Sequence, residues 1–188
     1  MRLFVAVNLP SGERRAAHEA TQVLRGHGLP VRWVGADNLH ITLKFLDEVD
    51  RDRVGEIGAA LTRAVRQVRV FSVTLGGIGA FPSMDRPRVV WLGVEKHPAL
   101  ELLANDVEEA LAPLGFASEL RPFHPHITLG RVERGARSSR LAGLATLAQE
   151  VAYEGMVPVE SVDLMESQLG AGGARYEVAS RAPLLPAS

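Results

Sequence analysis

One tetrapeptide occurs twice in the sequence, and each copy carries an imidazole and, two residues later, a hydroxyl. The first copy is His40-Ile41-Thr42-Leu43 and the second is His126-Ile127-Thr128-Leu129. Isoleucine, threonine and leucine are typical of strands, and strand side chains alternate between two faces. The histidine and threonine of each copy therefore share one face, and the isoleucine and leucine point into a core. A single His-x-Thr on a strand usually does no more than line a solvent-exposed face. Two identical copies with different flanking residues instead indicate a function.

Two histidines and two threonines on facing strands suit an in-line displacement at a phosphodiester. Imidazole has an unperturbed pKa of about 6.5, so one histidine can activate the attacking oxygen while the other protonates the departing oxygen. The hydroxyls of Thr42 and Thr128 can hold the phosphoryl oxygens as negative charge builds. The scheme requires no metal. Because the two motifs are identical, the residues alone do not assign the acid and base roles to His40 and His126.

Other chemistries are less well supported by the sequence. His124 and His126 project from one face like a zinc pair, but no carboxylate or cysteine nearby completes a ligand set. A Gly-x-Ser-x-Gly nucleophile elbow is absent. Gly77-Ile78-Gly79 lacks the third glycine of a dinucleotide-binding loop and does not open a helix.

Composition limits the class of protein. The chain has 188 residues, of which 46% are hydrophobic and 23% charged, and it has no cysteine, as expected of a soluble domain without disulfides. Its net charge of -1 provides no global attraction to nucleic acid, so contacts with RNA must come from local arginines. No apolar run is long enough to span a bilayer, and the apolar start reaches Pro10 too soon for a secretory signal. We expect a cytoplasmic monomer that makes no contact with membranes.

Strands and helices alternate around the two motifs. Hydrophobic periodicity and turn residues predict strands over residues 3–9, 31–34, 39–46, 70–82, 88–94, 124–132, 157–166 and 174–180, and helices over 11–25, 50–68, 98–111 and 141–148. A glycine-rich loop, 170–173, joins the last two strands.

The order of elements is the same in the two halves of the chain, which indicates an internal duplication with the halves meeting near residues 83–88. We therefore expect residues 1–188 to form a single bilobal α+β domain. In it, two antiparallel or mixed sheets are related by a pseudo-twofold axis, the helices lie outside, and the two motif strands face each other across a central cleft.

The sequence resembles the 2H phosphoesterase superfamily and, within it, the RNA 2′,3′-cyclic phosphodiesterases that were historically called 2′-5′ RNA ligases. The likeness extends along nearly the whole chain and is carried by residues 2–7, 33–34, 38–46, 79–82, 88–91, 123–131 and 164–167. It implies a bilobal α+β fold with the active site in the central cleft. The implied reaction uses neither ATP nor metal and opens an RNA 2′,3′-cyclic phosphate to a 2′-phosphate and a 3′-hydroxyl.

The resemblance also implies roles for the four motif residues. His40 would protonate the leaving 3′ oxygen as proton donor, and His126 would activate water as proton acceptor. Thr42 and Thr128 would bind the phosphate.

Two further residues stand at the same distance after their histidines. Phe45 follows His40 and Arg131 follows His126 by an equal number of residues. Phe45 is a candidate for stacking on a base or for packing in the core. Arg131 is a candidate phosphate contact or a surface ion-pair partner. Lys44 is expected on the face opposite the histidines.

Three other functions remain open at this point. The same displacement run backwards, with a 5′-hydroxyl as nucleophile, is 2′-5′ RNA ligation. The substrate could instead be a small cyclic phosphate such as ADP-ribose 1″,2″-cyclic phosphate. The third alternative is a non-catalytic RNA-binding module whose histidines only bind phosphate, although that role does not require both threonines.

Overall fold

The computed structural model describes residues 1–170 and 173–187, and these form an antiparallel sheet of nine strands with helices packed against it. The strands are β1 (Arg2–Asn8), β2 (Val31–Trp33), β3 (His40–Glu48), β4 (Phe71–Phe81), β5 (Val89–Val94), β6 (His126–Val132), β7 (Glu154–Val159), β8 (Ser161–Gly170) and β9 (Gly173–Pro183). The helices are α1 (Ser11–Ala20), α2 (Gln22–Arg25), α3 (Val54–Val65), α4 (Pro98–Leu111) and α5 (Leu144–Glu150).

The strand order is nearly symmetrical about the two motif strands. It runs β7-β4-β5-β6-β3-β1-β8-β9. The ninth strand, β2, lies outside this order and pairs with β6. At the centre, Ile41 of β3 pairs with Ile127 of β6, so the residue after each motif histidine lies at the meeting point. The predicted α+β class is confirmed, and the two predicted sheets join at this pairing into one continuous sheet.

Each side of the sheet takes strands from both halves of the chain. One side contains β1 and β3 together with β8 and β9, and the other contains β4 together with β5, β6 and β7. The duplication inferred from the order of elements stays a prediction.

A β-bulge follows the threonine of each motif. In β3 the register passes from Thr42 opposite Ala6 to Lys44 opposite Val5, and β6 shows the same shift against β5 between Thr128 and Gly130. An extra residue on one strand reverses the faces of the residues that follow it. Lys44 is therefore buried on the face opposite His40, as expected, although strict alternation alone would have placed it beside His40 and Thr42.

The core lies between the sheet and the helices. α3 packs on β8 and β9, and α4 packs on β3 and on α3. Each helix inserts an apolar stripe at helical spacing, and the fully buried members include Ile57, Leu61, Val65, Leu100, Leu103, Val107 and Leu111. Of the helices in the described ranges, none is long and apolar enough to cross a membrane.

Several predicted elements have different boundaries in the structure, and three of the differences have a physical interpretation or divide an element. The helix expected over 11–25 is divided at the buried Thr21, whose Oγ1 donates to the carbonyl of Ala17 at 2.9 Å and competes with the helical bonding pattern. The helix expected from residue 50 begins at Val54, after a 3₁₀ turn. The strand expected over 157–166 is two strands, because the chain turns at Glu160. The glycine-rich loop lies partly outside the described residues.

Candidate active site

His40 is held in one tautomer by its own backbone neighbourhood. Its Nδ1 lies 2.7 Å from the carbonyl oxygen of Asn38, and because a carbonyl only accepts, Nδ1 carries the proton. Nε2 of the neutral ring is then unprotonated, and it accepts from the hydroxyl of Thr42 at 3.0 Å. The histidine and threonine of the first motif thus share one face and are in direct contact, as the alternation predicts.

His126 is held in the same way. Its Nδ1 donates to the carbonyl of His124 at 2.8 Å, which is again the residue two positions earlier. At both sites the protein backbone therefore sets the tautomer, with the proton on Nδ1, and Nε2 of the neutral ring is left unprotonated.

Aromatic side chains surround both imidazoles. The ring of His40 lies 4.9 Å from that of Phe4 and 5.3 Å, edge-on, from that of Tyr176. The ring of His126 lies 4.9 Å, edge-on, from Phe81. These contacts restrict the rotation of each imidazole and shield part of its surface from water.

The same surroundings lower the pKa values of both histidines. Burial lowers the pKa of His40 to about 4, against the raising effect of its bond to the Asn38 carbonyl, and positive charge on His126 and Arg131 lowers it further. Burial is also the main cause that lowers the pKa of His126. In the free protein at neutral pH His40 is therefore neutral.

Five of the six predicted site residues line one cavity, which we call the histidine cleft, and His126 is not among the residues that line it. It has a volume of about 640 Å³ and is lined by His40, Thr42, Thr128, Phe45 and Arg131 together with Arg2, Leu3, Phe4, Val34, Asn38, Asp47, Ser167, Leu169, Ala174 and Tyr176. His126 precedes Thr128 by two residues on the same face of β6. The two bulges explain why Phe45 and Arg131 reach this cleft, since each moves to the histidine face after the bulge.

Asn38 and Tyr176 are among the cleft residues that sequence reasoning missed. Asn38 sets the tautomer of His40 through its carbonyl, and its position two residues before the motif was an available signal. Tyr176 arrives from β9, at the far end of the chain. No local pattern connects it to His40, because the contact depends on the order of strands in the sheet.

The described residues contain no cluster of three or more His, Asp or Glu side chains placed to hold a metal ion. The rings of His124 and His126 are 6.4 Å apart, and Phe81 packs edge-on against both.

The sequence model of the 2′-5′ RNA ligase superfamily matches residues 12–171. The chain belongs to this superfamily. Relatives named RNA 2′,3′-cyclic phosphodiesterase support the assignment. That of Aeropyrum pernix is 41% identical over 153 residues, which is 80% of this chain and 84% of the relative. That of Methanothermobacter thermautotrophicus is 32% identical over 176 residues, 94% of this chain and 95% of the relative.

Solved structures of the superfamily share the fold. TT0787 of Thermus thermophilus aligns with a TM-score of 0.81 at 29% identity and covers 100% of both chains. Escherichia coli LigT complexed with 3′-AMP aligns with a TM-score of 0.72 at 32% identity and covers 97% of both chains. The resemblance to the RNA 2′,3′-cyclic phosphodiesterases of the 2H superfamily is thereby confirmed.

Proposed function

We propose that this protein hydrolyses the 2′,3′-cyclic phosphate at an RNA end and leaves a 2′-phosphate and a free 3′-hydroxyl. The observation that carries the proposal is the matched pair of histidines, each with Nδ1 fixed by the carbonyl two residues earlier. The names of the relatives point to the same reaction.

The reaction needs one proton accepted and one donated on opposite sides of phosphorus. In the roles implied by the family resemblance, His126 Nε2 takes a proton from water as the water oxygen bonds to phosphorus. The bond from phosphorus to O3′ breaks, and His40 Nε2 gives its proton to O3′. His126 ends protonated and His40 neutral, and exchange with solvent restores the starting state. The chemistry uses only these groups, so we expect it to proceed without a metal.

An acid with a pKa of about 4 in the free protein must gain its proton when substrate binds. The phosphodiester brings a negative charge beside both imidazoles, and an opposite charge nearby favours the protonated form. Binding of the cyclic phosphate therefore raises the pKa of His40 towards neutrality. In this account, binding of the substrate causes His40 to take up the proton that it later donates.

The remaining cleft residues bind the substrate. Thr42 and Thr128 donate to the non-bridging phosphoryl oxygens, where charge builds in the transition state. Arg131 lies within the histidine cleft and, among the described residues, forms no ion pair, which favours phosphate contact over a surface ion pair. The side chain of Phe45 is 54% exposed, and this exposure favours stacking on a base over a role in the core.

The test is incubation of the purified protein with a short RNA that ends in a 2′,3′-cyclic phosphate, in EDTA, with the products resolved. We expect an RNA ending in a 2′-phosphate. RNA that binds without any product would instead indicate the binding module. Turnover restricted to ADP-ribose 1″,2″-cyclic phosphate would indicate the small substrate, and a joined product from an added 5′-hydroxyl RNA would indicate ligation. Loss of activity in EDTA with recovery in zinc would point to His124 and His126 as metal ligands.

A further inference from the structure

A second cavity adjoins the histidine cleft, and we call it the Asp163 pocket. It has a volume of about 470 Å³ and shares three lining residues with the histidine cleft: Asn38, His40 and Tyr176. Its own walls include Ser11, Arg14, Asp37, Ser161, Asp163 and Arg181. A ligand that occupies the histidine cleft can therefore continue past His40 into this pocket, whose size falls in the range of ordinary ligand sites.

A buried carboxylate organises one wall of the Asp163 pocket. Asp163 is 0% exposed. Its two oxygens accept from Nε and Nη2 of Arg181 at 2.9 and 3.0 Å. Asn8 Nδ2 donates to the same carboxylate at 2.7 Å and Ser161 Oγ donates at 3.0 Å. The network joins β1, β8 and β9 and fixes the orientation of the Arg181 guanidinium.

The arginine fixed by this network is still able to bind an anion. Its bonds to Asp163 use Nε and Nη2, so Nη1 remains as a donor at the pocket wall. The Arg181 side chain is 58% exposed, and its bonds to Asp163 raise the pKa of the guanidinium, which keeps it charged. A preorganised guanidinium of this kind is well suited to phosphate.

A second arginine is anchored on another element of the pocket. Arg14 of α1 donates through Nη1 to the carbonyl of Asp37 at 2.9 Å, in the turn that precedes His40. Hydroxyls of Ser11 and Ser161 and the carboxylate of Asp37 supply acceptors on the same surface. Guanidinium donors for phosphate beside acceptors for hydroxyl groups match a ribonucleotide, which carries both kinds of group.

We propose that the Asp163 pocket binds the nucleotide on the 5′ side of the terminal one. Arg14 and Arg181 would contact the phosphodiester that joins these two nucleotides. The inference rests on the proposed function, because it takes the cyclic phosphate to lie at His40. An RNA whose terminal phosphate is at His40 has its preceding nucleotide covalently attached, and the Asp163 pocket is contiguous with that position. The enzyme is then selective for the end of an RNA chain over a free cyclic mononucleotide.

The test compares kcat/KM for a dinucleotide that ends in a 2′,3′-cyclic phosphate with kcat/KM for a nucleoside 2′,3′-cyclic monophosphate. We expect the dinucleotide to be favoured by about ten-fold or more, a ratio that corresponds to about 1.4 kcal/mol. Val178 lines the Asp163 pocket and is 45% exposed on β9, so Val178→Trp should fill the pocket and bring the ratio close to one. Glu177→Trp is the matched control, because the neighbouring Glu177 lines neither cavity.

Arg14→Gln provides a second variant that does not depend on filling the pocket. It should lower the same ratio and make the salt dependence of dinucleotide turnover less steep, because one screened contact between a guanidinium and a phosphate is lost. A wild-type ratio near one, or a ratio that Val178→Trp and Arg14→Gln leave unchanged, would overturn the inference while cyclic mononucleotide turnover still supported the proposed function. Absence of turnover with both substrates would count against the proposed function itself.

Discussion

The chemistry of each histidine is set by a contact that lies within its own stretch of chain. The carbonyls of Asn38 and His124, each two residues before a motif histidine, accept from Nδ1 and leave Nε2 to react. Because each contact joins residues only two positions apart, it does not depend on the side chains that line the rest of the cleft. The surroundings differ, however, and burial between Phe4 and Tyr176 makes His40 the histidine whose pKa is lowered to about 4.

The lowered pKa of His40 leads to a prediction about pH. In the free protein the His40 ring should stay neutral as pH falls through 6.5 and become protonated only near pH 4. The unfolded chain binds the same proton at a higher pH, so protonation of His40 favours the unfolded state. The free energy of unfolding is therefore fully retained above the unfolded pKa of about 6.5 and decreases as pH falls towards 4. NMR titration of the ring resonances measures the value directly. Addition of a nucleotide phosphate should raise it, and an ordinary value near 6.5 in the free protein would contradict the account.

The threonines give a second prediction at the same scale. Thr42→Val and Thr128→Val keep the side-chain shape and remove the hydroxyl, so each should lower kcat by about 10²-fold, the usual cost of losing one transition-state donor. Thr146→Val, on the exposed side of α5, is the control and should leave kcat unchanged. Wild-type turnover in either motif variant would remove that threonine from the mechanism.

At the scale of elements, the bulges decide which residues accompany the histidines. Each bulge returns one later side chain to the cleft, Phe45 in β3 and Arg131 in β6, and sends one inward. The inward residue of β3 is Lys44, whose Nζ lies 2.6 Å from Glu108 Oε2 and 2.7 Å from the carbonyl of Ala117. This buried pair fixes β3 to α4 and to the segment that leads towards β6.

The pair yields a prediction about stability. Lys44→Met leaves the carboxylate of Glu108, which is 18% exposed, without its cation, so the free energy of unfolding in urea should fall by about 3 kcal/mol. The double variant Lys44→Met/Glu108→Leu removes both charges and should recover most of that loss. Equal losses in the single and double variants would show that the charge pair is not the cause.

The sequence was informative where a signal is local and uninformative where it depends on strand order. The doubled motif predicted the strands and the shared face of His40 and Thr42, since alternation is a property of a single strand. The bulge after Thr42 has no residue signature, because it arises from the register against β1. The turn at Glu160 was hidden within a stretch where apolar and polar residues alternate. Tyr176 reaches His40 only because β9 folds back beside β8.

At the scale of the whole molecule, near symmetry brings two distant motifs together. β3 and β6 meet at the Ile41–Ile127 pairing, and corresponding strands follow outward on both sides. Such an arrangement places the two motif strands next to each other at the centre of the sheet; that their histidines act from opposite sides of the bound phosphate is part of the proposal. The origin of the halves by duplication and the monomeric state stay predictions.

The most direct test of the account is the single-turnover rate of His40→Ala and His126→Ala on an RNA that ends in a 2′,3′-cyclic phosphate. Each variant should lose about 10²–10⁴-fold in rate while its thermal unfolding midpoint stays close to that of the unmodified protein. His27→Ala, at an exposed histidine outside both cavities, should turn over normally. An unchanged rate in either motif variant would contradict the acid–base pair on which the proposed function rests.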